Sequence, residues 1–430
     1  MSDVLKPDFT GTDLTTRQEV LIRYVQQHPR KGANGHINLH VHTNESFSFF
    51  QNSTEAVWYA YVEDIEYFGI NDYNTISGHG EFRSACRIAS LKSIYSIEAI
   101  AVDDESLRQG GRYNDPDNPG RCYIVGKGVV RDLQPGSRGS RILRTMRRSL
   151  RDRNINIVNR LNGYVQSRGF DLGLLYEAIE ALTPRSNTTE RHVVQAFCER
   201  MAVLFPNMDE RAEVYRKILG NGVAMDTLSD LAELQTLVRA RLVKSGMPCY
   251  VEEERKAFTT VENLVDLYLE YGAIPIYPLM GNPITEEEED LEALFRKMKR
   301  YRLNALEIID YRTEISRAQE IIDAASSQGF PVFIGTEHNT KNPLSLVGPV
   351  AAHPDFYAYL RLSANFVIGH QRLMELCNFG FVYPDGTPRF DDRREGFSFF
   401  EKIGEMDISE EQADELRMKT MDERKRFFGI

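Results

Sequence analysis

Cysteine is sparse in this chain of 430 residues, and its five copies (Cys86, Cys122, Cys198, Cys249 and Cys377) are scattered with no CxxC spacing. That excludes a zinc knuckle and a disulfide framework, and the five read as buried thiols of a reducing compartment. Long apolar runs are missing too: nothing is long enough to span a bilayer, and Met1 to Pro7 holds no hydrophobic signal region. A soluble cytoplasmic protein is the expectation. There is no excess of positive charge either. A net charge of −11 argues against general affinity for a nucleic-acid backbone, while leaving room for a local basic site that holds phosphate. No glycine-rich phosphate loop of useful specificity occurs, since Gly126-Lys127-Gly128 is too short. Tandem repeats and low-complexity segments are also absent.

What remains is ordinary globular composition, 42% hydrophobic and 27% charged. The length suits one large α/β barrel with additions as well as two separate domains. The most informative segment is Gly35-His36-Ile37-Asn38-Leu39-His40-Val41-His42-Thr43. It reads as a buried strand entering a polar loop. Side chains alternate along a strand, so His40 and His42 point the same way. Two imidazoles side by side at a strand end make a first pair of metal ligands, or else two half-buried histidines satisfied by backbone partners.

Strand-like runs alternate with helical ones. Strands are expected at Ile37–Val41, Tyr67–Asp72, Ile94–Val102 and Cys122–Val125, then at Ile274–Leu279, Ala305–Ile309 and Val332–Gly335. Helical patterns lie between most of them, with capping hydroxyls at Ser53-Thr54 and Thr259-Thr260. Seven such units imply a parallel sheet and a TIM-like (β/α)7 barrel, an α/β fold with its chemistry on the loops after the strand ends. The stretch 131–256 is too long for a connection and reads as an inserted helical subdomain between barrel halves 1–130 and 257–345. Its arginine-rich start (Arg138, Arg141, Arg144, Arg147, Arg148, Arg151, Arg153) suits phosphate or carboxylate, or else forms a solvated face paired with the acidic run Glu286–Asp290. Residues 346–430 read as a helical C-terminal extension packed outside the barrel or on a partner.

These residues carry a resemblance. Asn38-Leu39-His40-Val41-His42-Thr43 resembles the first motif of the PHP (polymerase and histidinol phosphatase) family of metal-dependent phosphoesterases. Gly69 to Gly78 is similar to the second motif, Ser96-Ile97-Glu98 to the third, and Arg191-His192-Val193 to the motif that brings a histidine from the insertion. Ile334-Gly335-Thr336-Glu337-His338-Asn339 takes the place of the last. The family implies a seven-stranded barrel with up to three divalent metals. The chain departs from its pattern at several points. Phe47 stands near where an aspartate is usual, and Tyr73 replaces the second motif's histidine. Ile276-Tyr277-Pro278 lacks the usual histidine, Glu337 replaces an aspartate, and Asn339 replaces the last histidine. His353-Pro354 imitates a motif but lies beyond the last strand.

By this resemblance His40, His42, Glu98 and Glu337 make one complete metal site, Glu98 and His192 offer part of a second, and the third is gone. One or two divalent ions are implied, and nitrogen with carboxylate ligation suits zinc, manganese or iron. Asp72 is expected to orient a ligand histidine from behind. His79 is an alternative ligand or a loop residue at a helix start. Arg191 is a candidate for gripping substrate phosphate or carboxylate, or else a structural ion pair. His338 is a candidate general acid, or a ligand filling the place of Asn339. The expected function is a metal-dependent phosphoesterase acting on a small phosphorylated metabolite or nucleotide. The alternatives are a hydrolase or isomerase of a non-phosphate substrate and a non-catalytic binding protein. Polymerase proofreading is not expected, and the charged surfaces permit a homo-oligomer without requiring one.

Overall fold

The computed structural model describes residues 6–11, 13–30, 35–220 and 223–430. Among the described residues eight strands form: β1 His36–Val41, β2 Ile65–Tyr73, β3 Lys92–Val102, β4 Arg121–Lys127, β5 Thr259–Thr260, β6 Ile274–Leu279, β7 Leu306–Ile309 and β8 Val332–Gly335. Seven of them run in the order β1-β2-β3-β4-β6-β7-β8, and the two-residue β5 only extends the far end of β3. The sheet nearly closes on itself. The backbone nitrogens of Thr336 and Glu337 both donate to the His40 carbonyl, and His42 N donates to the Glu337 carbonyl at 2.7 Å. Closure needs a bare backbone at Gly335, where an added Cβ would fall 2.1 Å from the His40 Cβ.

The expectation of a wholly parallel sheet needs one correction, because β4 pairs antiparallel with both β3 and β6. The cause lies in the connecting helix, which has six residues where the helix between the parallel β2 and β3 has eleven. Antiparallel neighbours can be joined at the same end of a sheet, whereas a parallel return needs a full crossover. Here β3 and β4 are joined by the helix Asp104–Gln109 and a loop. The reversal has a consequence for the insertion. Strand β4 ends at the barrel floor, and the next helix, Arg138–Ser167, has 30 residues, about 45 Å of rise. It starts beside Glu270 at the floor, where Gly139 N donates to the Glu270 carboxylate, and it reaches the mouth by Leu150, Arg153 and Asn154. That climb carries the inserted helices over the open end.

The insertion packs around its own apolar cluster, from Ile157 and Leu161 through Phe197 and Tyr215 to Leu242 and Cys249. The C-terminal helices Pro354–Cys377 and Arg393–Glu405 instead share the barrel's cluster through Phe366, Leu373 and Phe400. Asn365 accepts from the Tyr67 hydroxyl at 2.7 Å, pinning the first of these helices to β2. The arginine-rich helix start does not meet the acidic run. Glu286 pairs with Arg112 and Glu287 with Lys297, while Arg138 goes to Asp266, Arg151 to Glu180 and Arg153 to Glu190. All five cysteines are buried and free. Among the described residues no helix is long and apolar enough to cross a membrane.

Candidate metal centre

The alternation of β1 places His40 and His42 on the barrel's inner face, and the middle of β3 brings Glu98 against them. The two Nε2 atoms are 3.4 Å apart. Glu98 Oε1 lies 3.3 Å from His42 Nε2, and Oε2 lies 3.6 Å from His40 Nε2. Among the described residues this is the one group of three histidine, cysteine or acidic side chains whose donor atoms all lie within 4.8 Å of one another. All three are buried. Burial, with the charges of Glu337, Glu307 and Asp72 nearby, pushes the Glu98 carboxyl well above its usual range. Burial, then the neighbouring His40 and Arg191, holds the His42 imidazole well below its usual value. Two imidazoles facing a carboxyl group crowded by other acids form a donor set that a divalent cation fits.

The ring nitrogens facing away from this point are also engaged. His42 Nδ1 lies 2.9 Å from Ser46 Oγ, whose hydroxyl donates to Asp72 at 2.6 Å. Asp72 also accepts from the backbone and hydroxyl of Thr43, both at 2.7 Å. Asp72 thus reaches His42 through Ser46. His40 Nδ1 lies 2.9 Å from the carboxylate of Glu307 on β7. The amide of Asn71 sits 2.8 Å from His40 Nε2.

A cavity of about 320 Å³ opens above the cluster. Its floor includes His40, His42 and Glu98. Tyr73, Glu337, Asn339 and Arg312 line the barrel rim, and Arg153, Arg191 and Arg239 come down from the insertion. Glu337 stands in the left-handed region, with φ 61°, and lies 3.9 Å from Arg312. It shares the cavity and acts electrostatically on Glu98, but it is not part of the tight group. Tyr73 is half-buried on the wall, its phenol raised by burial. The Arg191 side chain makes no hydrogen bond or ion pair with any described residue, and its guanidinium lies 5.9 Å from the Phe47 ring. Burial and the adjacent Arg239 lower it to about 10, so it keeps its charge at neutral pH. Arg153 and Arg239 are spent on one carboxylate, Glu190, at 2.7 and 2.8 Å.

Three residues singled out by the sequence lie elsewhere. His192 caps its own helix, its Nδ1 accepting from Thr189 N at 3.0 Å, and its ring meets Phe47 edge-on. Burial lowers it to about 3. His338 has both ring nitrogens occupied, by Thr336 Oγ1 at 2.8 Å and the Leu344 carbonyl at 3.0 Å, and stacks on Phe50. His79 binds the Ser96 carbonyl through Nε2 at 3.0 Å, and burial lowers it to about 4. None of the three lines the cavity. A second-metal donor set around Glu98 and His192 therefore does not assemble, and His338 is not placed to protonate a leaving group. The residues the sequence did not flag are Glu307, Lys127, Asn71 and Ser46. Glu307 carried a signal, an acid inside an otherwise apolar strand.

No protein-family model matches the chain, and no curated protein matches it. Solved structures do resemble it in fold. A provisionally named metal-dependent phosphoesterase from Bifidobacterium adolescentis superposes with a TM-score of 0.51 at 15% identity, covering 77% of this chain and 98% of its own. An amidohydrolase from Chromobacterium violaceum, solved with sulfate and no metal, gives 0.48 at 14%, covering 76% and 97%. At these identities the likeness is one of architecture, and the PHP resemblance rests on the motifs.

Proposed function

We propose that the protein is a metal-dependent hydrolase of the PHP type that acts on a small phosphorylated substrate. The observation that carries this reading is the convergence of His40, His42 and Glu98 on the floor of a cavity whose wall holds the unpaired cation of Arg191. Those three residues would hold one divalent ion, with Glu337 as a fourth donor from the rim. Such an ion supplies Lewis acidity toward a substrate oxygen and makes a water easier to deprotonate near neutral pH. The remaining work falls to the chain's own groups. Arg191 grips an anionic group of the substrate, because a half-buried guanidinium without a partner gains most from an oxyanion. Phe47 and the insertion exclude bulk water from that contact. Asp72, through Ser46, keeps the His42 ring in place.

One observation favours a second reading. The tight donor group holds three residues, and His192 is committed to capping, so a two-metal clamp on both oxygens of a phosphate ester lacks its second set of ligands. A single ion also serves hydrolysis of a carboxylate-bearing lactone or amide.

The test is a substrate panel of phosphomonoesters, lactones and amides with protein loaded separately with zinc, manganese and iron(II). Phosphate release is expected, abolished in a folded Glu98→Gln variant. Arg191→Met is expected to raise KM roughly 10–100-fold, the scale of a lost charged hydrogen bond. Turnover of lactones or amides with no phosphate release would replace the first reading by the second.

A further inference from the structure

Beneath the cluster the barrel interior holds a charged pair where an apolar core would be expected. Lys127 on β4 and Glu307 on β7 are each 0% exposed, with Nζ 2.5 Å from Glu307 Oε1. Lys127 also donates to the Leu39 carbonyl at 2.9 Å, one residue before His40. The other carboxylate oxygen of Glu307 meets His40 Nδ1 at 2.9 Å. A buried ion pair is seldom worth more to stability than apolar side chains of the same size. What it offers here is geometry.

We propose that Lys127 and Glu307 are positioning residues that fix the tautomer and angle of His40, so that its Nε2 lone pair faces Glu98 and His42 before any ion arrives. The proposal rests on the metal-site reading above. An ionised carboxylate can only accept, so a 2.9 Å contact with Glu307 puts the ring proton on Nδ1. The amide nitrogen of Asn71 lies against both ring nitrogens, 2.8 Å from Nε2 and 3.3 Å from Nδ1, so the tautomer rests on the Glu307 contact. Lys127 makes this possible in two ways. It gives the buried Glu307 carboxylate a partner on its other oxygen, and it ties that carboxylate to the backbone of the strand that carries His40. Without Lys127 the buried carboxylate would be left with an unpaired oxygen and free to turn away, and the ring would lose its anchor. The arrangement is a carboxylate–histidine pair set for metal, with the lysine as a third member beneath it.

Long-range ¹H–¹⁵N correlation spectra of the metal-free protein, with His40 assigned by His40→Gln, read the tautomer directly. The proton is expected on Nδ1 in the wild type, and in exchange between the two nitrogens, or on Nε2, in Glu307→Leu and Lys127→Met. Zinc titration of the same proteins should show affinity lowered roughly 10–100-fold in both variants, with melting curves confirming that they fold. A wild-type proton on Nε2 would overturn the proposal, and that result needs no variant. Folded variants that keep the Nδ1 proton and bind zinc like the wild type would also overturn it. Should the wild type take up no zinc, the metal reading fails, and the tautomer still decides this proposal.

Discussion

Charge concentrated by burial governs the individual side chains here. Glu98, Asp72 and Glu45 lie in or beside the barrel mouth, Glu307 lies in the interior beneath them, and all four are nearly sealed from solvent. Only Glu307 has a buried lysine against it. Glu45 shows what this costs. Burial, then the charge of Asp72, raises it from 4.5 to about 7, although Arg185 approaches one oxygen at 3.2 Å. A carboxyl whose folded value is raised binds its proton more tightly when folded. Its contribution is intact below about pH 4.5 and is lost as pH rises toward 7. Glu45→Gln should therefore gain on the wild type by about 1–3 kcal/mol between pH 5 and pH 8, read as the difference in denaturation midpoints. A constant difference across that range would contradict the assignment. At this scale the sequence was legible where the signal was local. His40 and His42 lie two apart on one strand, and Glu98 stands in a recognisable tripeptide. Lys127, Glu307 and Asn71 are single letters in three separate strands, brought together only by closure of the barrel. His192 and His338 sit in the right motifs, but each is claimed by a nearer partner, a helix cap and a loop carbonyl.

The strand and helix pattern was readable, because periodicity reports burial on one face, and it gave the seven barrel strands in place. Direction was not readable. A run such as Arg121–Lys127 looks the same in either sense, and the reversal of β4 goes with a connecting helix of only six residues. The docking of the insertion over the barrel mouth is testable at one joint. Asn187 donates from one amide nitrogen to the Glu45 carbonyl at 2.9 Å and to the Tyr73 carbonyl at 2.8 Å, joining the insertion to the loops after β1 and β2. Asn187→Ala would leave two carbonyls without that donor, a cost of about 1–3 kcal/mol confined to this junction. Hydrogen exchange should quicken at residues 185–192 while β1 to β3 stay protected. A uniform rise across the barrel would mean that the insertion is part of one cooperative unit.

The molecule as a whole is a nearly closed barrel with a charged interior, roofed by a helical unit that has its own core and backed by C-terminal helices packed on the barrel's core. Its polar axis runs from Lys127 through Glu307 and His40 to Glu98 and then into the cavity that Arg191 borders. A barrel kept only for stability would have little reason to bury so many ionisable groups in line, whereas a cation at His40, His42 and Glu98 would balance the carboxylates at the upper end. The direct measurement is elemental mass spectrometry on protein purified without added metal, beside a His40→Ala/His42→Ala variant. About one equivalent of zinc, manganese or iron in the wild type, lost in the folded variant, is the predicted result. A wild type that carries no metal and takes up none on titration would contradict the account.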